Sequence, residues 1–207
     1  MIELKERYFI NLHKLCTPFV ILTLMRYFNN FSTGPLIYFG LHTGYCICWL
    51  LKETIYPDES FENRISPPMF VLAFIAVACY WIAPYMLISS KIVPSVVTIL
   101  FSVPTCLVGF FYHFGSDAQK YFVLKERKGL IMDGFFATTR NPNYFGEVLM
   151  YIGWGVLSES PLPVGILLCF ALFLFYPRMR RKDISLSRYP EFTNYKKRSN
   201  FFFPRIF

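Results

Sequence analysis

Three long stretches of this chain contain no Asp, Glu, Lys or Arg: Met69 to Ser89, Ile92 to Phe114 and Pro161 to Tyr176. About 20 apolar residues at ~1.5 Å rise match a hydrocarbon core ~30 Å thick. Backbone groups in lipid must be satisfied within their own segment, so such stretches fold as helices. Composition agrees: 55% of the 207 residues are hydrophobic and 16% charged, and the mean hydropathy is +0.40. A soluble domain of this size is far more polar. The expected fold is all-α, a polytopic integral membrane protein with about six transmembrane helices and a basic C-terminal tail.

The six spans are read at about 8–27, 35–52, 68–89, 92–114, 143–159 and 161–177. Together they make a single transmembrane domain, residues 1–207, with N-terminal helices over 1–90 and a C-terminal part over 91–207. The short link Ser158-Glu159-Ser160-Pro161 implies that the last two spans form a tight antiparallel hairpin. Glu3 and Glu6 interrupt the basic start and no small-residue cleavage site follows, so the first span reads as retained.

Six spans put both termini and the loops at 52–67 and 115–142 on one face of the membrane. That face collects Lys5, Arg7, Lys52, Arg64, Lys120, Lys125, Arg127, Lys128, Arg140 and the basic tail, against Arg26 and Lys91 on the other. By the positive-inside rule, both ends face the cytosol or the mitochondrial matrix. The endoplasmic reticulum and the mitochondrial inner membrane both remain open. The net charge of +8 is then a topology and headgroup signal, and nucleic acid is not an expected partner.

Cys16, Cys46, Cys48, Cys79, Cys106 and Cys169 all fall in the expected spans and read as small hydrophobes. Cys46-Ile47-Cys48 and the dispersed His13, His42 and His113 form no metal-ligand set. Ionisable groups inside spans are costly and each is a candidate. His42 reads either as a helix-packing hydrogen-bond donor or as a catalytic group. Glu53 closes the second span before the Tyr56-Pro57-Asp58 break, and Pro84, between Tyr80 and Tyr85, implies a kink.

The densest polar signal is Arg140-Asn141-Pro142-Asn143-Tyr144-Phe145-Gly146-Glu147 at the start of the fifth span. Asn141 suits an N-cap and Pro142 the first helical position. The free N–H groups of such a start favour an anion. Asn143, Glu147 and Tyr151 share a face at four-residue spacing. They read either as an inter-helix hydrogen-bond cluster or as the floor of a site. The amphipathic, basic loop Ser116 to Gly129 and the tail from Arg178 either lie on anionic headgroups or ring a phosphate-binding entrance.

These residues resemble the steroid 5α-reductase-like membrane proteins. The resemblance runs through Ser116-Asp117, Gly134-Phe135-Phe136, Asn141-Pro142-Asn143-Tyr144-Phe145-Gly146-Glu147, Arg188-Tyr189-Pro190-Glu191-Phe192, Tyr195-Lys196-Lys197-Arg198-Ser199 and Phe203-Pro204, roughly the last 95 residues. It makes 91–207 a reductase-like part. It implies an all-helical fold that binds NADPH and delivers hydride to a polarised enone of a lipid or sterol. Carried over, Asp117, Asn143, Glu147 and Arg180 contact the cofactor, and Lys125 or Arg127 helps at phosphate or ribose. Arg140, Asn141 and Tyr144, in the same string, complete the cofactor-binding set. Glu53 and Tyr80 fall where relatives place an acid and a phenol near the substrate carbonyl, with Tyr80 as proton donor sharpened by Glu53. Membrane isoprenylcysteine methyltransferases have a related C-terminal architecture but carry His where Asn141 stands, which argues against lipid methyl transfer.

The chain departs from the reductase pattern at His113 for Asn, Ile184 for a tail His and Arg188 for a tail Tyr, and it is one N-terminal helix shorter. The departures and the 24 Phe and 14 Tyr give a second reading. In it, the chain is a catalytically inactive accessory subunit in a larger membrane assembly such as a mitochondrial respiratory complex. Partners are then membrane lipids, a lipid or sterol substrate, or other subunits.

Overall fold

The computed structural model describes residues 3–205. Five helical stretches are long and apolar enough to cross a membrane: Glu6–Tyr27 (α1), Thr33–Ile55 (α2), Pro67–Ser89, Val96–Glu126 (α5) and Pro161–Leu186. The fold is all-α as expected. A sixth helix, Pro142–Leu157 (α6), stands where the fifth span was expected, but with 16 residues it is shorter than those five.

Proline explains the breaks. The third stretch is α3 (Pro67–Ala78), a 3-10 turn at Cys79–Trp81, and α4 (Ile82–Ser89). Pro84 supplies no N–H and its ring crowds the carbonyl of Tyr80, so the irregular turn lies one turn ahead of it. The last stretch is α7 (Pro161–Phe170), a π turn at Ala171–Phe175, and α8 (Tyr176–Leu186). Pro177 acts on the carbonyl of Phe173 in the same way. This span therefore runs past the expected end at 177. A short helix, α9 (Phe192–Arg198), follows.

The expected loop beginning at 115 is corrected. Ser116 to Glu126 contains no Gly or Pro, and α5 continues through it for 31 residues, about 46 Å. Gly129, at φ +141°, lies just beyond the helix end.

The chain divides into two compact units. One comprises Met1–Val103 and Gly153–Ile166, the other Pro104–Ile152 and Leu167–Phe207. In the first unit, Leu4–Lys5 (β1) pairs antiparallel with Arg64–Ile65 (β2), and Glu62 bridges Lys5 at 2.6 Å and also Arg7. Three turns are tied together elsewhere in this unit. Asn30 Nδ2 donates to Ile88 O (2.9 Å), Gly34 packs on Pro94, and Glu159 Oε1 accepts from Ser95 N (3.0 Å) and Thr98 Oγ1 (2.8 Å). In the second unit, a small core of Leu130, Phe192 and Tyr195, with Met132, Leu186 and Tyr189 against it, seats α9.

Candidate functional site

In the second unit α5 and α6 meet backbone to backbone. A Cβ on Gly146 would lie 2.4 Å from His113 N and 2.6 Å from Gly109 O, and one on Gly109 would lie 2.8 Å from Gly146 O. Cys106 Sγ donates to Met150 O (3.6 Å), and His113 Nδ1 lies 3.3 Å from Asn143 O. Pairing 106 with 150, 109 with 146 and 113 with 143 makes the helices antiparallel. α6 therefore begins beside His113, and the last turns of α5, from Asp117 to Lys125, extend beyond its N-terminus.

The start of α6 is fastened to the C-terminal tail. Arg140 is 4% exposed. Its Nε donates to Asp183 Oδ1 (3.0 Å) and Oδ2 (3.1 Å), and its Nη1 to Ser199 O (2.6 Å). Asn141 Nδ2 donates to Phe201 O (2.8 Å) and Thr139 Oγ1 to Phe202 O (2.8 Å). Arg140 N donates to Asn200 O and Asn200 N to Thr138 O, each 3.0 Å, which makes the parallel bridge of Thr139 with Asn200. Lys182 Nζ donates to Arg140 O (2.7 Å). Pro142 opens the helix as expected, but the side-chain N–H of Asn141 serves the tail. Tyr195, on the buried face of α9, donates its hydroxyl to Phe136 O (2.7 Å). Burial pushes its phenol up to about 12, with Arg140 pulling the other way.

The cofactor candidates thus separate. Arg140 and Asn141 spend side-chain donors on the tail. Asp117 is buried; Asn143, Tyr144 and Glu147 are half-buried; Lys125, Arg127 and Arg180 are exposed. The Tyr144 ring packs on Phe175 at 5.3 Å between centroids. Asn141 Oδ1 and Asn143 Oδ1 are buried acceptors with no hydrogen-bond partner among the described residues. Buried acceptors of this kind fit a ligand that brings N–H or O–H groups.

The catalytic candidates lie in the first unit. Glu53 lies in the last turn of α2, its side chain 7% exposed, with Lys52 Nζ 4.0 Å away. Neither carboxylate oxygen takes part in a hydrogen bond among the described residues, so Tyr80, in the 3-10 turn, is not bonded to it. Lys52, read as a loop cation, is instead 1% exposed, its ammonium 4.7 Å from the Trp49 ring centroid. Lys14 escaped the sequence reading. It is 5% exposed, 4.6 Å from the Tyr45 ring and 5.4 Å from that of Trp49. A lone Lys between Leu12 and Leu15 was the available signal, since a cation inside a span needs an interior partner. His42 Nδ1 lies 3.2 Å from Tyr38 OH, and its ring stacks on Trp154 at 4.2 Å.

Residues 60–199 match the model of a family described as a protein of unknown function, DUF1295. The cobalt-zinc-cadmium resistance protein CzcN of Cupriavidus metallidurans is 33% identical over 84 residues, 40% of this chain and 38% of that protein. The nickel-cobalt-cadmium resistance protein NccN of Alcaligenes xylosoxydans xylosoxydans is 35% identical over 79 residues, 37% of each. The chain spans well under half the length of these curated relatives. Among the described residues no group of three or more His, Cys, Asp and Glu side chains is arranged to hold a metal ion.

Proposed function

From its membership of the DUF1295 family and the resemblance of its C-terminal motifs to the steroid 5α-reductase-like proteins, we propose that this chain is a membrane-embedded, NADPH-dependent reductase of a lipid or sterol enone. The observation that carries the reading is the buried Asn143 Oδ1, a lone acceptor on the first turn of α6, one turn from Glu147 and beside the polar end of α5. NADPH, when bound, supplies the hydride. Asp117, Asn143 and Glu147 accept its N–H and O–H groups, while the exposed Lys125, Arg127 and Arg180 neutralise phosphate charge. Arg140 and Asn141 act one step back: by holding the tail they fix where α6 begins. Glu53 and Tyr80, both in the first unit, lack the hydrogen bond that would pair them, so no joint proton-donor role is assigned to them.

The test is NADPH binding to the purified full-length protein, read as quenched tryptophan fluorescence or a thermal shift. Glu147→Gln should abolish it while leaving the unfolding temperature of the free protein unchanged. No response at millimolar NADPH removes the reading.

One observation favours an accessory subunit instead. Arg140 and Asn141, central to the motif, spend their side-chain donors on the fold itself, so the motif can persist without chemistry. Co-migration with a large complex on native gels, together with no cofactor response, selects this alternative.

A further inference from the structure

The C-terminal part of the second unit carries far more positive charge than the fold uses. Between Arg178 and Arg205 stand nine Lys or Arg and two acids, Asp183 and Glu191. Asp183 is buried and committed to Arg140. Arg180, Arg181, Lys196, Lys197 and Arg198 are exposed and make no ion pair among the described residues.

Their position follows from the helix that carries them. Residues 161–177 hold no charged side chain, and Arg178 opens the charged end of the same continuous span. Seventeen residues at 1.5 Å cover about 25 Å, so Arg178 to Lys182 emerge where the hydrocarbon ends. The tail does not leave this level. Asp183 and Ser199 are both bonded to Arg140, and Phe192 and Tyr195 sit with Leu186 and Tyr189 in one core. Lys196 to Arg198 are thereby held beside α8. Exposed apolar groups flank the cations: Ile184 and Phe203 are each 67% exposed and Tyr176 51%. Fixed cations interleaved with outward apolar side chains suit the headgroup layer, where phosphates meet acyl chains.

We infer that α8, α9 and the strapped tail form a rigid basic platform that binds the anionic phospholipid surface of the leaflet in which the tail lies. This surface shares Arg180 with the cofactor reading but needs no reductase activity, and Lys196, Lys197 and Arg198 belong to it alone. Its geometry comes from the clasp, since a free tail would spread the same charges over many conformations.

The experiment uses the full chain in neutral detergent, without NADPH. Short-chain phosphatidylglycerol or phosphatidylcholine is titrated in, and binding is read from thermal stabilisation. Phosphatidylglycerol should bind tighter, and the preference should fade as salt rises. At about 5-fold per cation, the triple variant Lys196→Gln, Lys197→Gln, Arg198→Gln should weaken phosphatidylglycerol on the order of 100-fold and leave phosphatidylcholine unchanged. Equal binding of the two lipids, or an unaltered affinity in the triple variant, overturns the inference. Displacement of the lipid by equimolar inorganic phosphate also overturns it, because the site would then take a free anion. So does loss, in the triple variant, of a co-purifying protein with no lipid preference, which would make the patch a protein dock. All three residues are exposed, and an unchanged unfolding temperature without lipid confirms that the variant is folded.

Discussion

Arg140 is held at 4% exposure and needs acceptors, which it finds in Asp183 and Ser199. Removing the cation leaves the Asp183 carboxylate buried and alone, so Arg140→Met should cost about 3–5 kcal/mol. The double variant Arg140→Met, Asp183→Leu should recover much of that, because no bare charge remains. Unfolding in detergent measures both, and an Arg140→Met loss within experimental error would mean that the clasp contributes little. Tyr195 gives a pH signature in the same place. Its phenol titrates near 12 in the fold against about 10 when unfolded, so the folded state favours the protonated form. That stabilisation is complete below about pH 10 and disappears as pH rises toward 12. Tyr195→Phe should lose about 1 kcal/mol near neutral pH, and its alkaline destabilisation between pH 10 and 12 should be shallower. An unchanged alkaline limb would place the titration elsewhere. None of this was legible in the string Arg140-Asn141, because residue types declare capacity to donate and not the acceptor. The partners lie 43 and 59 positions away.

Helices were legible where periodicity and breakers act locally. Pro84 announced the kink, Pro142 the start of α6, and Tyr56-Pro57 the end of α2. Three features were not legible. The continuation of α5 past 115 was hidden because a polar amphipathic helix and a basic surface loop have similar composition. Two-residue strands such as β1 and β2 carry no period to detect. Gly146 looked like part of a cofactor motif, whereas its lack of a side chain lets α6 touch His113 and Gly109. Gly146→Ala would force that crossing apart and should cost about 1–3 kcal/mol, as overpacking does. On the proposed reductase reading it should also weaken the NADPH response, by displacing Asn143 from His113. Alanine at Gly40, where a Cβ meets nothing within 4 Å, is the control. If both variants unfold alike, the close approach is not what holds α5 to α6.

At the scale of the whole molecule the question is how a 16-residue α6 can cross, since about 24 Å is short of a ~30 Å core. The ties within the first unit answer it. The turn at 158–160 is bonded to the start of α5 through Glu159, and the start of α5 lies with the turn after α1 through Pro94 and Gly34. α5 leaves that end and α6 returns to it, so the two make a round trip. Counting α6 as a crossing makes six, as read from the sequence, although five helices are long enough by themselves; the short one carries Trp154, whose ring stacks on His42 inside the unit. Six crossings put Asn63 and Lys197 on one side of the membrane and Asn29 and Glu159 on the other. Single cysteines at these four exposed positions, in a chain whose six native cysteines are replaced by serine or alanine, should therefore label in two pairs. An impermeant maleimide applied to sealed vesicles should reach 63 with 197, or 29 with 159, and never 63 with 159. Labelling of 63 and 197 from opposite sides would mean five crossings, a dipping α6 and a basic tail across the bilayer from the β1–β2 pair. The platform on α8 and α9 would then meet the other leaflet, and the asymmetry of Lys and Arg along the chain would lose its meaning as a topology signal.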